Sequence, residues 1–318
     1  MLSFQKQPMM RRVLLALAPL WIFASWMYGF RTIEVAVVVV VLAVGVEWLF
    51  ERSRGGKVSE AAIVSAALYG LALPPRTPLW IVAVGIVFAI AAAKGAYGGF
   101  GRNVFNPAIG GRLFVYIAFA TVLNQGYMGA ADFPANLSPF HTGIDVASSA
   151  TPLALMRADP RAPVDIGTLI LGTRPGALGE SPIILIAIAA IFLLATKTAN
   201  WRLMLSTIGS GAALTALLRL SGTAMALPLE SLLAGSFLFV AVFMATDPVT
   251  APKKKASQWI YGLLIGSVTV VIRTFSGFPE GTSFGILLGN TFAPFIDELV
   301  GKAKDAVGAG KTGSEAAR

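Results

Sequence analysis

Apolar runs long enough to cross a lipid bilayer recur along the whole of this 318-residue chain. Hydrophobic residues make up 56% of the sequence and charged residues only 13%, whereas a soluble domain carries about 25% charge. The ten segments of this kind are 13–30, 32–50, 59–73, 78–95, 107–125, 182–196, 201–220, 228–246, 257–275 and 281–299. The sequence therefore predicts an all-α integral membrane protein with about ten transmembrane helices.

Two of the segments contain proline-rich ends that are unusual for a continuous transmembrane helix. The third ends at Pro74-Pro75 and the eighth at Asp247-Pro248. Broken helices of this kind are tolerated in membranes only where the backbone faces protein or a cavity. We expect these two segments to be interrupted or re-entrant.

The distribution of Lys and Arg predicts the orientation. With the N-terminus placed in the cytoplasm, 18 of the 25 basic residues fall on the cytoplasmic side and 7 outside, as positive-inside topology requires. The same bias accounts for the high net charge of +9 without any nucleic-acid partner. Both termini are then cytoplasmic, and 126–181 is the one long extracytoplasmic segment.

The two halves of the chain resemble each other. The stretches 60–78 and 230–252 each begin with Glu, run apolar and end in a Pro-rich turn. Trp80 and Lys94 are 14 residues apart, as are Trp259 and Arg273. An odd number of spans per half gives an inverted repeat. The alternative is chance similarity between apolar segments. We expect a first repeat over 1–125, the external loop over 126–181, a second repeat over 182–300 and a cytoplasmic tail over 301–318.

The residue types present limit the chemistry. There is no cysteine and only one histidine, His141, which excludes iron–sulfur ligation, thiol catalysis and a two-histidine haem within this chain. We expect no metal site and no catalytic side chain. An electron carrier held by this chain would have to be organic.

Polar motifs stand out against the apolar background. In the external loop, Asp145-Val146-Ala147-Ser148-Ser149-Ala150-Thr151 is either a plain loop with a helix N-cap for 152–158 or an acceptor for an external enzyme. A threonine hydroxyl without an activating base is a poor nucleophile. On the cytoplasmic side, a Gly-rich turn carries Asn103 and Asn106, whose amides point either to a ligand or to a structural turn.

Ionisable residues at membrane depth are functional candidates by default. Asp247 either caps its turn or lies in an ion or ligand cavity. Lys94 and Arg273 occupy equivalent repeat positions and either neutralise an anionic cofactor or pair with Glu280 or another carboxylate. Glu34 and Glu47 are expected to mark membrane interfaces only. The remaining candidates are Glu60, Arg112, Glu230 and Asp297.

Five motifs together resemble one family of membrane proteins. They are GGFGRNVFNPAIGG, DVASSATPLA, PGALGES, FMATDPVTAP and FPEGTSFGILLGNTFAP, and they follow the family's order from residue 98 onward. The family comprises RnfD, from the Rnf complex, and NqrB, from the sodium-translocating NADH:quinone reductase. Thr151-Pro152, and the absence of the longer N-terminal extension of NqrB, make the chain more similar to RnfD. Ser181-Pro182 departs from the family's usual Thr-Ser after the Glu.

The resemblance implies a redox function and its cofactors. It implies FMN esterified through its phosphate to Thr151 by a separate flavin transferase, with Asp145, Ser148 and Ser149 supporting the loop. A second, non-covalent riboflavin is implied near Asn103 and Asn106. The fold implied is a bundle similar to the ammonium and urea channels. The chain would be one subunit of a translocase in the bacterial inner membrane, beside a second covalent-flavin subunit and iron–sulfur subunits, pumping Na⁺ or H⁺.

Two other classes fit parts of the sequence. A channel or secondary transporter without redox chemistry explains inverted repeats, broken helices and buried charges equally well. A purely structural membrane anchor explains neither the polar turns nor Thr151. The DVASSAT motif in an external loop is the feature that favours a flavoprotein over a channel.

Overall fold

The computed structural model describes residues 4–128, 150–159, 165–223, 227–276, 278 and 281–315, with side chains through residue 305. In these ranges the chain forms two short strands, fourteen α-helices and two π-helical turns. The elements are β1 (Phe4–Gln5), α1 (Pro8–Tyr28), α2 (Phe30–Arg54), β2 (Val58–Ser59), α3 (Glu60–Leu71), α4 (Leu79–Ile90), π1 (Ala91–Gly95), α5 (Pro107–Ala118), α6 (Ala120–Asn124), α7 (Pro152–Ala158), α8 (Ile166–Leu171), α9 (Ile183–Ala195), α10 (Trp201–Leu220), α11 (Pro228–Leu233), α12 (Phe237–Phe239), π2 (Val240–Met244), α13 (Lys255–Phe275) and α14 (Thr282–Glu315).

Local sequence explains where several helices begin and end. The side chains of Asn106, Asp165 and Asn200 accept backbone N–H groups at the starts of α5, α8 and α10, as N-cap residues do. Gly29, at φ 73°, forms the corner between α1 and α2. Gly55, at φ 69°, ends α2 in the left-handed conformation that glycine adopts without strain.

Each of the ten predicted apolar segments contains helix. Four helices, α1, α2, α10 and α13, are long and apolar enough to cross a membrane. Shorter apolar helices are α3, α4 with π1, α5 and α9. The predicted all-α membrane class is therefore confirmed at the level of length and composition.

The outward faces of these helices are apolar. Val41 on α2 is 62% exposed, Ile191 on α9 is 68% exposed and Leu217 on α10 is 61% exposed. Exposed apolar surface of this extent is unfavourable in water and typical of contact with another apolar phase. The fold is that of a protein whose outer surface is solvated by lipid.

The eighth apolar segment is interrupted, as predicted. α11 ends at Leu233, Ala234 is extended, and the chain resumes helix at α12 and π2. The third segment is short rather than broken, because α3 has only 12 residues and stops at Leu71 before the Pro74-Pro75 turn. A 12-residue helix is about 18 Å long, too short to cross the hydrocarbon core by itself.

The space beyond the end of α3 is filled by residues expected to lie in the external loop. The backbone N–H of Leu178 donates to the Leu73 carbonyl at 3.0 Å, and that of Gly179 to the Leu71 carbonyl at 2.7 Å. Arg174, Glu180 and Ser181 are also buried. The later part of 126–181 is thus packed against the bundle. α14 continues through residue 315, so the first part of the expected tail is helical.

Two ends of the bundle can be distinguished. At one, Arg54 donates to the Gly95 carbonyl, Asn106 to Asp247, and the Lys253 backbone to Asp297. We call it the basic end, because the exposed cations Lys57, Arg102, Lys197, Lys253 and Lys302 lie there. At the opposite end, Arg31 donates to the Thr77 carbonyl and Arg157 to the Phe278 carbonyl.

The closest helix packing joins α10 to α13. The Ser210 hydroxyl donates to the Gly262 carbonyl at 3.1 Å, so the two backbones run almost in contact. A Cβ added at Gly266 would clash with the Thr207 carbonyl and lie 2.8 Å from the Gly211 nitrogen. Small residues of this kind allow helices to approach closely in membranes.

We predict that Gly266→Ala destabilises the protein by about 1–3 kcal/mol, because the added methyl meets backbone atoms that cannot turn away. Thermal unfolding of the purified chain in detergent measures the change. Gly209→Ala is the matched control on the same helix pair, since its Cβ would meet nothing within 4 Å. Equal unfolding temperatures for the two variants would show that the helices do not pack this closely.

Candidate functional site

A pocket at the basic end brings together residues that are far apart in the sequence. Four of the predicted site residues line it: Lys94, Asn103, Asn106 and Asp247. The rest of the wall is mainly apolar and includes Met9, Met10, Val13, Val64, Leu68, Phe100 and Phe243. An apolar cavity with a few convergent polar groups is the usual form of a cofactor site.

The Gly-rich turn before α5 supplies Asn103. Gly98, Gly99 and Gly101 have φ between 83° and 106°, a region that only glycine enters readily. The turn places Asn103 in the pocket wall, where the residue is only 7% exposed. Its amide nitrogen donates to the Phe105 carbonyl at 3.0 Å, and its amide oxygen accepts no hydrogen bond from the residues that the structure describes. Asn103 thus has an acceptor available to a ligand.

Asn106 is more fully engaged in holding the fold. Its side-chain oxygen accepts the Ile109 backbone N–H at 3.3 Å and caps α5. Its amide nitrogen donates to the Asp247 carboxylate at 3.1 Å. Its backbone N–H donates to the side chain of Asn290, which in turn donates to the Tyr261 hydroxyl. Asn106 therefore links both halves of the chain.

Asp247 caps its turn, which was one of the two alternatives for this residue, and its side chain also lines the pocket. Its carboxylate accepts the Val249 backbone N–H at 3.0 Å and the Thr250 hydroxyl at 3.2 Å, besides the amide of Asn106. It lines the pocket and also an adjoining cleft between the α9–α10 connection and residues 246–253.

Lys94 pairs with a carboxylate, as one of the two alternatives proposed, and that carboxylate belongs to Glu47. The ammonium donates to Glu47 at 2.7 Å and to the Ser59 hydroxyl at 2.8 Å. Both charged side chains are almost fully buried, at 2% and 4% exposed. The expectation that Glu47 marks an interface was wrong. The available signal was a single acidic residue inside a long apolar run of α2.

Two π-helical turns shape the pocket. Lys94 lies in π1 and Phe243 in π2. A π turn inserts one extra residue into a helix and is frequent at functional sites. Here each turn directs a side chain to the pocket wall.

The amino-terminal segment forms one wall. The Glu60 carboxylate accepts the Gln7 backbone N–H at 2.7 Å and two donors of Arg11. The Gln7 side chain accepts the Ala61 N–H at 3.1 Å. Because β1 also pairs with β2, the start of α1 is held over α3, where Met9 and Met10 close the pocket.

Thr151 lies away from this pocket. It is half-buried and caps α7, where its hydroxyl oxygen accepts the Ala154 N–H at 3.2 Å. The predicted helix over 152–158 is present, with Thr151 rather than an Asp or Ser as its cap. Arg157 ties α7 to the Phe278 carbonyl at the opposite end of the bundle. The loop residues Asp145, Ser148 and Ser149 lie outside the described residues.

The other candidates are not part of the pocket. Arg273 donates to the Ser231 carbonyl at 2.7 Å and lies 5.5 Å from the ring of Phe237, away from the basic end. Glu280 lies outside the described residues. Arg112, predicted as an ionisable residue at membrane depth, is fully buried and donates to the hydroxyls of Ser236 and Thr282.

The outer apolar surface and the short and interrupted helices define a multi-pass membrane protein with a mainly apolar pocket at its basic end. Residues 3–305 match the model of the NQR2, RnfD, RnfE family. The chain belongs to this family, which confirms the resemblance drawn from the motifs.

Individual relatives come from both branches of the family. The chain is 38% identical over 288 residues to the B subunit of the Na(+)-translocating NADH-quinone reductase of Chromohalobacter salexigens, covering 87% of this chain and 67% of that protein. It is 32% identical over 305 residues to the D subunit of the proton-translocating ferredoxin:NAD(+) oxidoreductase complex of Clostridium ljungdahlii. This match covers 92% of this chain and 89% of that protein. It is 34% identical to the D subunit of the ion-translocating oxidoreductase complex of Alcanivorax borkumensis, and the matched region covers 91% of this chain and 89% of that protein. The chain spans about two thirds of the length of its quinone-reductase relatives.

We predict that Glu47→Gln destabilises the chain by about 3–5 kcal/mol, because it leaves the buried Lys94 ammonium without a counter-charge. The control is Glu34→Gln, which breaks the more exposed pair with Arg31 and should cost no more than about 1 kcal/mol. Thermal unfolding in detergent compares them.

The double variant Glu47→Leu with Lys94→Met should recover most of the stability lost in Glu47→Gln, since an apolar pair carries no buried charge. If the double variant is as unstable as Glu47→Gln, the loss of stability does not come from the unpaired Lys94 charge.

Proposed function

We propose that this chain is the flavin-carrying membrane subunit of an Rnf-type ion-translocating oxidoreductase complex. Its relatives are named as subunits of complexes that translocate ions with NADH or ferredoxin as redox partner. The observation that carries the proposal is the convergence of Lys94, Asn103, Asn106 and Asp247 on one pocket. Assignment to the RnfD branch rests on Thr151-Pro152, because identity alone does not separate the branches.

The first cofactor proposed is FMN esterified to Thr151. The residue fits, because its hydroxyl oxygen is at a half-buried helix cap rather than in the core. The oxygen already accepts the Ala154 N–H, and an ester oxygen keeps a lone pair for this contact. Esterification therefore requires no unfolding of α7. A bound flavin supplies electron transfer through its ring, and a phosphate tether leaves that ring to be tuned by surrounding polarity.

The second cofactor proposed is a non-covalent riboflavin in the pocket at the basic end. The Asn103 amide oxygen is the best-placed polar contact. Asn106 retains one amide donor and one acceptor site beyond its own hydrogen bonds. Lys94 uses two of its three donors on Glu47 and Ser59, so one remains for a pocket ligand. Because Glu47 neutralises Lys94, the pocket presents a donor without a large excess charge.

Asp247 is proposed as the link between redox chemistry and ion transport. Its carboxylate lies in the wall shared by the pocket and the adjoining cleft. A cation near this carboxylate experiences any change of charge inside the pocket, which is the coupling free energy that redox-driven transport requires. The names of the relatives include both Na⁺ and proton translocation, and the ion of this chain stays open between them.

We also propose the inverted-repeat architecture. Lys94 ends the α4–π1 helix at the basic end and contacts Ser59, just before α3. Arg273 lies near the end of α13 and contacts Ser231 in α11. Each of the two basic side chains thus contacts a residue next to the Glu that begins the corresponding segment, Glu60 or Glu230, and the two contacts lie at different ends, which supports opposite orientations. The charge bias supports a basic end in the bacterial cytoplasm, and we propose that Thr151 is then outside, within reach of a flavin transferase. The electron-transfer partners proposed are the other covalent-flavin and iron–sulfur subunits.

We predict that the denatured chain, made in a host with the flavin transferase, carries the mass of one esterified FMN and fluoresces in a gel. Thr151→Val should lose both signals, because it removes the acceptor oxygen and keeps the shape. Thr168→Val, in α8 of the same segment, is the control and should retain them. Flavin persisting on Thr151→Val protein would move the tether elsewhere.

We predict that Asn103→Ala lowers the affinity for extractable riboflavin about 5- to 150-fold, by leaving a buried ring group without its hydrogen bond. Covalent FMN on Thr151 should be unchanged. Asn124→Ala, on an exposed position of α6, is the control. Asn106 is a poorer test, since losing its cap destabilises α5 by about 1 kcal/mol irrespective of any ligand. Unchanged riboflavin content in Asn103→Ala would reduce this turn to a structural element.

A further inference from the structure

An open cleft lies beside the pocket at the basic end, and the proposed function uses only Asp247 in the wall that the two cavities share. It runs between the α9–α10 connection and residues 246–253, with about 1030 Å³ of empty space when the part open to solvent is included. Three basic residues line it: Lys197, Arg202 and Lys253. The one acidic lining residue in the described part of the chain, Asp247, already accepts three hydrogen bonds.

The cations of the cleft are poorly neutralised. The Lys197 ammonium and the Arg202 guanidinium form no ion pair with the described residues, although Arg202 stacks 4.9 Å above the ring of Trp201. The Lys253 ammonium binds the Pro248 carbonyl. Asp297 lies nearby, but its carboxylate accepts the backbone N–H groups of Lys253 and Lys254. The cleft therefore presents a local excess of positive charge.

Lys197 adopts an unusual conformation. It is the only residue other than glycine with positive φ in the described ranges, at 55°. Its N–H donates to the Leu194 carbonyl and that of Thr198 to the Leu193 carbonyl. This is the helix C-terminal motif in which glycine is the favoured residue at the Lys197 position. A lysine here gives up backbone stability and places a cation at the mouth of the cleft.

The surroundings of the cleft are those of a membrane interface. Trp201 and Trp259 meet edge to face at 5.8 Å, and both are more than 40% exposed. Tryptophan is enriched where hydrocarbon meets headgroups. Exposed apolar side chains, Leu205 of α10 and Ile260 of α13, follow directly along the same helices. The cleft thus lies where the headgroup layer is expected, above an apolar surface suited to acyl chains.

The floor of the cleft is held by polar contacts of its own. The Asn200 amide donates to the Gln258 side chain at 3.0 Å and joins the starts of α10 and α13. Asn200 also caps α10. These contacts hold the starts of α10 and α13 together beneath the cleft.

We propose that this cleft binds the phosphate headgroup of an anionic phospholipid from the leaflet at the basic end. Basic pockets between transmembrane helices on the cytoplasmic side are suited to such headgroups. The lipid would lie on the flank of the pocket, since the two cavities share Thr198, Ala199, Thr246, Asp247 and Pro248. The site requires membrane insertion but is independent of the flavins.

Native mass spectrometry of the full chain in mild detergent tests the site, with phosphatidylglycerol and phosphatidylcholine as probes. Wild-type protein should retain phosphatidylglycerol in preference to phosphatidylcholine. The triple variant Lys197→Gly, Arg202→Gln and Lys253→Gln should bind it about 100-fold more weakly, from the contribution of each basic residue near a membrane surface. Lys57→Gln, Lys302→Gln and Lys304→Gln together are the control, because these exposed cations of the basic end lie outside the cleft.

Lys197→Gly alone separates binding from folding. Glycine is favoured at this position, so the variant should be at least as stable as the wild type while binding phosphatidylglycerol about 5-fold more weakly. Lys197→Arg keeps the positive charge and should bind phosphatidylglycerol as well as the wild type does. Equal retention of both lipids, or an equal loss in the control triple variant, would overturn the proposal. Full displacement of the lipid by inorganic phosphate would also overturn it. The same holds if the isolated chain binds the lipid but the assembled complex excludes it, because the cleft would then be occupied by an acidic surface of a neighbouring subunit.

Discussion

The buried ion pair between Lys94 and Glu47 is the contact on which the basic end of the bundle depends. With the Ser59 hydroxyl it joins α2, the strand before α3 and the π turn after α4. In an apolar bundle such a pair has no water to replace a lost partner, so each charge requires the other. Next to it, Glu60 fixes the amino-terminal segment through Gln7 and Arg11. The pocket wall is thus built from contacts that are satisfied before any ligand enters.

The same requirement explains the irregular segments. A helix as short as α3 leaves carbonyl groups unsatisfied at its end, and lipid offers no hydrogen bonds to replace them. The Leu71 and Leu73 carbonyls are satisfied by the N–H groups of Gly179 and Leu178. A segment that connects the two halves of the chain therefore has to enter the bundle. Polar residues buried there, such as Arg174 and Glu180, follow from this packing and need not be ligand contacts.

Sequence reasoning predicted what depends on local pattern. Apolar length located the helices, and the Gly-rich turn and Asp247 were recognised by composition alone. Prediction from the sequence failed where the environment of a residue depends on contacts with residues far away in the sequence. Glu47 was taken as an interface residue because its partner Lys94 is 47 positions away in the sequence. Arg112 was recognised as a charge at membrane depth, but its partners, the hydroxyls of Ser236 and Thr282, lie in other elements far along the chain and could not be predicted. The contacts of residues 178 and 179 with the end of α3 were not predicted, because they join positions far apart in the sequence.

The separation of the two proposed flavin sites limits what this chain does alone. Thr151 is tied through Arg157 to the end of the bundle opposite the pocket that holds Asn103. α2, which runs between the two ends, has 25 residues and is therefore about 37 Å long. With no cysteine in the chain, no iron–sulfur cluster can be ligated by it between these sites. If both sites hold flavins, electrons have to pass between the ends through carriers of neighbouring subunits. The chain then acts as a scaffold that fixes two separated carriers on either side of the membrane, and the path between them is a property of the assembled complex.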